Sequence, residues 1–162
     1  MKILFIQTGG TIDKDYENGR KAYLFEITDP AVLRIMKRAN PNFKYEVVEL
    51  AKKDSLDLTD ADRKKIYNYC LKSKEERIVI THGTDTMDKT AKVLAKIPNK
   101  TIVFTGASRP ERFTDSDADF NLGCAVASVQ TLPHGVYVAM SGRVYAYDSF
   151  KKAIDGQFVD KK

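Results

Sequence analysis

Two short glycine-punctuated segments hold the groups that could do chemistry, Thr8-Gly9-Gly10-Thr11-Ile12 and Thr81-His82-Gly83-Thr84-Asp85-Thr86-Met87. They gather hydroxyls, backbone N–H donors and a carboxylate, which is equipment for acyl transfer: a nucleophile, a proton acceptor and an oxyanion cradle. Thr11 is the candidate nucleophile of the first segment. A threonine hydroxyl is a poor nucleophile until a neighbour removes its proton. His82 offers an imidazole, but at a strand end such a ring commonly satisfies backbone groups, and we read it as structural. A lysine of lowered pKa coupled to a carboxylate is the substitute base.

On residue types alone, both segments also admit plainer roles. Residues 8–12 could form a phosphate-binding or purely structural turn, although the dinucleotide fingerprint and the P-loop pattern are both absent. Residues 81–87 could simply begin a helix, with Thr84 or Asp85 as cap. Even a capped helix start leaves N–H groups and a positive dipole end able to hold an anion or oxyanion.

Each segment follows a short apolar run, Ile3-Leu4-Phe5-Ile6 or Ile78-Val79-Ile80. Buried parallel strands end this way, so both segments are expected at the carboxyl edge of a sheet, where open α/β folds bind ligands. Further strands are predicted at 44–50, 101–105 and 135–140, with a short β segment at 143–145 forming a hairpin. Helices are predicted near 30–39, 60–73, 85–96 and 118–130. Asp29-Pro30 reads as an N-cap followed by proline at the first helical position. Thr59 and Asp62 read as a capping box. The polar stretch from 8 to 28 is too long for an ordinary connection and reads as a lid or a disordered loop. The alternation of strand and helix predicts a three-layer, mostly parallel, Rossmann-like or flavodoxin-like sheet with helices on both faces, in a single domain.

The 162 residues suffice for one domain, and 43% apolar and 30% charged residues are ordinary for a globular protein. The net charge of +5 is spread over predicted helices and loops without aromatic interleaving, so no nucleic-acid partner is expected. Cys70 and Cys124 are too few for a disulfide framework and read as reduced core thiols. The apolar run at the N-terminus is too short for a signal peptide, and no segment reaches the roughly 18–20 apolar residues of a membrane span. A cytoplasmic location is the expectation. Asp115-Ser116-Asp117-Ala118-Asp119 begins like a calcium loop, but Phe120 takes the glycine position and Val126 that of the bidentate glutamate. We expect no metal and no organic cofactor, and assign Asp117 and Asn121 to the start and packing of a helix.

Thr-Gly-Gly-Thr-Ile and His-Gly-Thr-Asp-Thr-Met resemble the two signature segments of the bacterial-type L-asparaginase family. Asp54-Ser55-Leu56-Asp57, Thr105-Gly106-Ala107-Ser108-Arg109-Pro110, Asp117-Ala118-Asp119-Phe120-Asn121-Leu122 and the stretch from Gly135 to Phe158 match in order, so the resemblance covers essentially the whole chain. It implies Thr11 as nucleophile on a flexible lid (about 12–28), with Tyr23 of the same lid beside it. It implies a second cluster of Thr84, Asp85 and Lys152, with Lys151 one residue away as the alternative. Ser55 and Asp85 would hold the substrate's α-carboxylate and α-amino groups, and Gly10, Asp57 and Gly83 complete the substrate-contacting set. The N–H groups of Thr84 and Ala107 would form the oxyanion hole.

Family members usually carry a second α/β domain, and that domain of a neighbouring protomer contacts the substrate. This chain stops at Val159-Asp160-Lys161-Lys162, where the linker would begin. From the methionine start and the complete final motif we expect a short single-domain form, residues 1–162, that self-associates as a dimer or tetramer. The expected activity is hydrolysis of L-asparagine to L-aspartate and ammonia, with L-glutamine as a side substrate. The alternatives are a non-catalytic amino-acid-binding module and the amidase subunit of a tRNA-dependent amidotransferase.

Overall fold

The structure is a computed structural model that describes residues 1–16 and 25–161. The first strand, β1 (Lys2–Gly9), has Ile3, Leu4, Phe5 and Ile6 each at 2% exposure or less. Successive strand residues point to opposite faces, so a strand buried at every position needs cover on both sides. Ile3 and Phe5 pack on one face with α1 (Ala31–Ala39), while Leu4 and Ile6 pack on the other.

After β1 and a 3₁₀ turn at Thr11–Asp13 come β2 (Lys14–Tyr16) and β3 (Phe25–Ile27), paired antiparallel, and then α1. The chain continues through β4 (Lys44–Lys53), a second 3₁₀ turn at Ser55–Asp57, α2 (Asp60–Lys72), β5 (Arg77–Thr81) and α3 (Met87–Leu94). It closes with β6 (Thr101–Thr105), α4 (Ala118–Thr131), β7 (Gly135–Met140), β8 (Arg143–Ala146), β9 (Phe150–Lys152) and β10 (Phe158–Asp160). The main sheet has the order β4-β1-β5-β6-β7-β8, parallel except for β8, which forms the expected antiparallel hairpin with β7. Residues of α1 and α4 cover one face, and residues of α2 and α3 cover the other. The predicted three-layer α/β class is the observed one.

Strand order decides where a ligand can sit. From β1 the chain moves outward to β4, then returns past β1 to β5 and continues the opposite way. That reversal opens a crevice between the carboxyl ends of β1 and β5. The two signature segments are those ends.

The capping box at α2 is present, with Thr59 Oγ1 accepting from Asp62 N at 3.2 Å and the Asp62 carboxylate accepting from Thr59 N at 2.8 Å. Other local expectations need correction. Asp29 does not cap α1: its side chain is 80% exposed, and the Ala31 N–H is met at 2.8 Å by Oδ1 of Asp13. Pro30 occupies the cap position itself, and a buried acid from the Thr11 turn supplies the acceptor. β4 runs to Lys53 rather than stopping at 50, because Lys53 still pairs with Gly9 beyond a register shift in β1. α3 spans Met87–Leu94, shorter at both ends than the predicted 85–96, and the Asp85 carboxylate bonds Lys152 instead of lying in the first turn. Within the polar stretch the described residues include the paired strands β2 and β3.

Gly10 and Gly83 let the two strand ends meet. Gly10 has φ +92°, and a Cβ on it would lie 2.5 Å from Gly83 Cα; a Cβ on Gly83 would lie 2.7 and 2.8 Å from Ser55 Cβ and Oγ. Gly83→Ala should therefore force backbone movement and lower stability by about 1–3 kcal/mol. Urea unfolding checks this, and an unchanged midpoint would contradict the packing.

Candidate active site

Four loops converge at the switch point. Gly10 of the first signature packs on Gly83 of the second, and Gly83 packs on Ser55 of the turn after β4. The Thr8 hydroxyl donates to Thr81 O at 2.8 Å, fastening the ends of β1 and β5 together, and both residues are buried. The Thr86 hydroxyl donates to Ser55 O at 2.7 Å, fastening the turn at 55–57 to the start of α3. Thr11, Ser55 and Thr84 thus hang on backbone that touches backbone, which fixes their positions more firmly than side-chain packing could.

Ser55 is fully buried, and its Oγ has no hydrogen-bond partner among the described residues. A buried hydroxyl without a partner is uncommon and calls for a ligand or water. Asp57 lies on the same turn but is exposed, with its backbone N–H bonded to Asp54 O at 3.0 Å.

Lys152 reaches the second signature from β9. Its ammonium donates to Thr84 Oγ1 at 2.8 Å and to Asp85 Oδ1 at 2.5 Å. The pleat explains why Lys152 rather than Lys151 does so. Phe150 is buried against Phe158, with stacked rings at 5.4 Å, and residue 152 shares its face of the strand whereas 151 does not. Thr84 and Asp85 are therefore engaged by lysine instead of capping α3, whose cap position is Thr86 with no side-chain cap bond.

Ala107 sits on the loop after β6, and a helix holds that loop in place. Asp117 accepts from the N–H groups of Ser108 and Arg109 at 3.0 Å each. Asn121, fully buried, donates to Gly106 O at 3.0 Å and accepts from Ser141 N at 2.9 Å. These two residues have the helix-start and packing roles expected of them, and through those roles they set the backbone flanking Ala107.

Tyr23 lies outside the described residues. The described root of the predicted lid is anchored: Ile12 and Asp13 are both fully buried, and Lys14 bridges to Asp54 at 3.1 Å. Sequence reasoning alone misses Thr8, Asp13 and Lys14. A signal for Asp13 exists, because an acid directly after the buried Ile12 must find a partner inside the fold.

His82 has the structural character expected. Nδ1 donates to Gly83 O at 2.7 Å, and Nε2 lies 2.8 Å from the Thr90 hydroxyl, which donates to it. This fixes a neutral ring on the α3 side of the sheet.

A doubly wound α/β sheet with hydroxyl, ammonium and carboxylate groups gathered at its switch point defines the class of protein. Within that class the chain belongs to the asparaginase family, since residues 2–157 match the family's N-terminal domain. It is 27% identical to the glutaminase-asparaginase of Acinetobacter glutaminasificans, over 94% of this chain and 50% of that protein. It is 32% identical to the L-asparaginase of Thermococcus kodakarensis, over 89% of this chain and 45% of that protein. A glutamyl-tRNA(Gln) amidotransferase component from Methanococcus maripaludis is 34% identical, over 86% of this chain and 35% of that protein. In structure the chain is similar to the thermostable L-asparaginase from Thermococcus kodakarensis, with a TM-score of 0.87, 26% identity, and coverage of 99% of this chain and 51% of that one. The chain thus spans about half or less of the length of each of these relatives. No described helix is long and apolar enough to cross a membrane.

Burial lowers the His82 pKa from 6.5 to about 4. The unfolded chain takes up this proton near 6.5 and the folded one only near 4, so His82 withdraws stability as pH falls through that window. NMR of the ring should show a neutral Nδ1–H tautomer until about pH 4. Titration near 6.5 would mean the ring is not held in this way.

Proposed function

We propose that this chain is an amidohydrolase that cleaves the side-chain amide of L-asparagine to L-aspartate and ammonia, with L-glutamine as a slower substrate. The observation that carries this reading is the Lys152 ammonium within hydrogen-bond reach of both the Thr84 hydroxyl and the Asp85 carboxylate, at the mouth of the switch-point crevice. At 2.8 Å from Thr84 Oγ1, a neutral Lys152 amine can accept the hydroxyl proton directly. Asp85 then stabilises the ammonium that results.

In the proposed reaction, Thr11 attacks the amide carbon, or a water at Thr84 does so, and the nucleophile's proton passes to the Lys152–Thr84 relay, which later returns it to the leaving nitrogen. The carbonyl oxygen gains the electron pair of the broken π bond and rests on the N–H groups of Thr84 and Ala107. Each such donor contributes about 2.7–4 kcal/mol to lowering the barrier in comparable sites. The tetrahedral carbon re-forms its carbonyl as the amide nitrogen leaves, protonated to ammonia by the Lys152–Thr84 relay. If Thr11 is the nucleophile, water then attacks the threonyl ester and restores the hydroxyl. The unpartnered Ser55 hydroxyl is the group for the substrate's α-carboxylate, and Asp85 is the counter-charge for its α-amino group. Gly10 and Gly83 let the two signature segments and Ser55 close together beneath the substrate, and Asp57 lies at the rim. Tyr23 is assigned to the nucleophile's side on the family resemblance alone.

Self-association belongs to the same proposal on the family resemblance, in which a neighbouring protomer contacts the substrate. Light scattering that finds only monomer at micromolar concentration would remove that part. Amino-acid binding without turnover, detected by calorimetry in the absence of ammonia release, would replace the enzyme reading with a binding module.

An ammonia-release assay on asparagine and glutamine tests the whole. Thr11→Ala and Lys152→Met should each lower kcat by about 10²–10⁴-fold, with Thr84→Ala behaving like Lys152→Met. Wild-type turnover no faster than that of the variants would overturn the reading.

A further inference from the structure

The turn that carries Thr11 closes on a buried acid that the proposed reaction does not use. Asp13 has no exposed surface. Its Oδ1 accepts from Ala31 N, its backbone N–H donates to Gly10 O at 3.2 Å, and its carbonyl accepts from Thr28 N at 2.9 Å. One residue therefore joins the Thr11 turn, the root of the β2–β3 hairpin and the start of α1.

The second carboxyl oxygen raises a question of protonation. Oδ2 is buried without a partner, and so are Oε1 of Gln7 and Oγ1 of Thr81, whose side chains lie against this carboxyl from the ends of β1 and β5. Gln7 gives one of its two amide N–H groups to Thr28 O at 2.9 Å, and its Oε1 accepts from no described donor. Three buried oxygens around this carboxyl thus stand without a partner among the described residues. A proton on Oδ2 supplies a donor to this group of unpartnered oxygens. Burial outweighs what favours ionisation, namely the hydrogen bond from Ala31 N, the side chains of Gln7 and Thr81, and the charge of Arg34, whose guanidinium is engaged by Glu111. From β1, β5 and the residue after β3, the groups that face Asp13 are the uncharged Gln7, Thr81 and Thr28. His82, next to Thr81, points to the opposite face of the sheet.

We propose that Asp13 is a positioning residue for Thr11, holding the nucleophile's turn against α1, β1 and β5 as a neutral acid and loosening it on ionisation. This rests on Thr11 as the nucleophile. Burial pushes the Asp13 carboxyl up to about 7, so its ionisation falls where an enzyme works. An unfolded aspartate ionises near 3.8 and this one near 7. The folded state therefore loses stability as pH rises through that interval, and the loss is complete above it.

The test compares wild type with Asp13→Asn and Asp13→Ala. Asparagine keeps an oxygen for the Ala31 N–H and supplies a permanent donor to Gln7, so it imitates the neutral acid. The expected result is equal unfolding midpoints for wild type and Asp13→Asn near about pH 4, with the variant more resistant to urea near about pH 8. Wild-type kcat should fall across a limb near about pH 7 that Asp13→Asn lacks, with KM moving little. Asp13→Ala should lower kcat roughly ten- to hundredfold at every pH. Carbon-detected NMR of the wild-type Asp13 carboxyl reads its titration without any substitution.

A carboxyl that titrates near its ordinary value, or parallel stability curves for wild type and Asp13→Asn, would overturn the proposal. So would a raised titration with kcat flat across it, since Asp13 would then cap α1 and do no more. Thr11→Ala separates the two readings. Full turnover in that variant sinks the nucleophile assignment, while the carboxyl titration and the stability difference still report on Asp13.

Discussion

The contact of Gly10 with Gly83 is the constraint on which the site depends. Two parallel strands normally stand about 4.7–4.9 Å apart, and their side chains keep the loops beyond them from closing in. Here the loops after β1 and β5 meet backbone to backbone, and Ser55 closes on Gly83 from the third side. The three hydroxyl-bearing residues thus take their places from peptide groups held in hydrogen-bonded sheet ends. A chemistry that needs a nucleophile, a relay and a carboxylate pocket within one crevice requires that economy of space.

The Lys152 cluster is placed by a different force. Exposed ion pairs contribute about 0–1 kcal/mol to stability, and the Lys152 and Asp85 side chains are 31% and 45% exposed. Such a pair is too weak to have drawn β9 across the sheet edge. The stacked Phe150 and Phe158, continuous with the α2- and α3-facing core, are strong enough to do so, and the Tyr145 hydroxyl fixes Phe158 O at 2.7 Å. Apolar burial thus sets the strand, and the strand's pleat sets the lysine. Stability and function thus come from the two ends of one three-residue strand, Phe150 and Lys152, on the same face.

Much of this is legible in the sequence because it depends on local pattern. Consecutive apolar positions in β1, β5 and β6 announce strands covered on both faces, and Thr59 with Asp62 announces the start of α2. The paired signatures announce which strand ends will meet. What escapes are partners distant in the chain. Asp29 looks like the cap of α1 because the rule for caps is local, whereas the actual acceptor, Asp13, lies 18 residues back and arrives only when the sheet assembles. The choice between Lys151 and Lys152 likewise requires knowing which phenylalanine is buried. The start of α3 is misjudged for a related reason, since helical periodicity cannot see Thr84 and Asp85 being claimed by a strand that follows more than 60 residues later.

Asp13 and His82 lie on opposite faces of the same sheet, next to the ends of the same two strands. Burial raises the acid to about 7 and lowers the base to about 4, so between those limits the folded protein holds both in uncharged form. In water, an aspartate and a histidine would pass a proton between them and become an ion pair over most of the same interval. Unfolding there releases one proton and takes up another, and the two groups together leave the proton inventory close to zero. The sheet therefore carries two strongly perturbed groups at its centre whose joint contribution to the pH dependence of stability nearly cancels across mildly acidic conditions. Each group hides the linkage of the other.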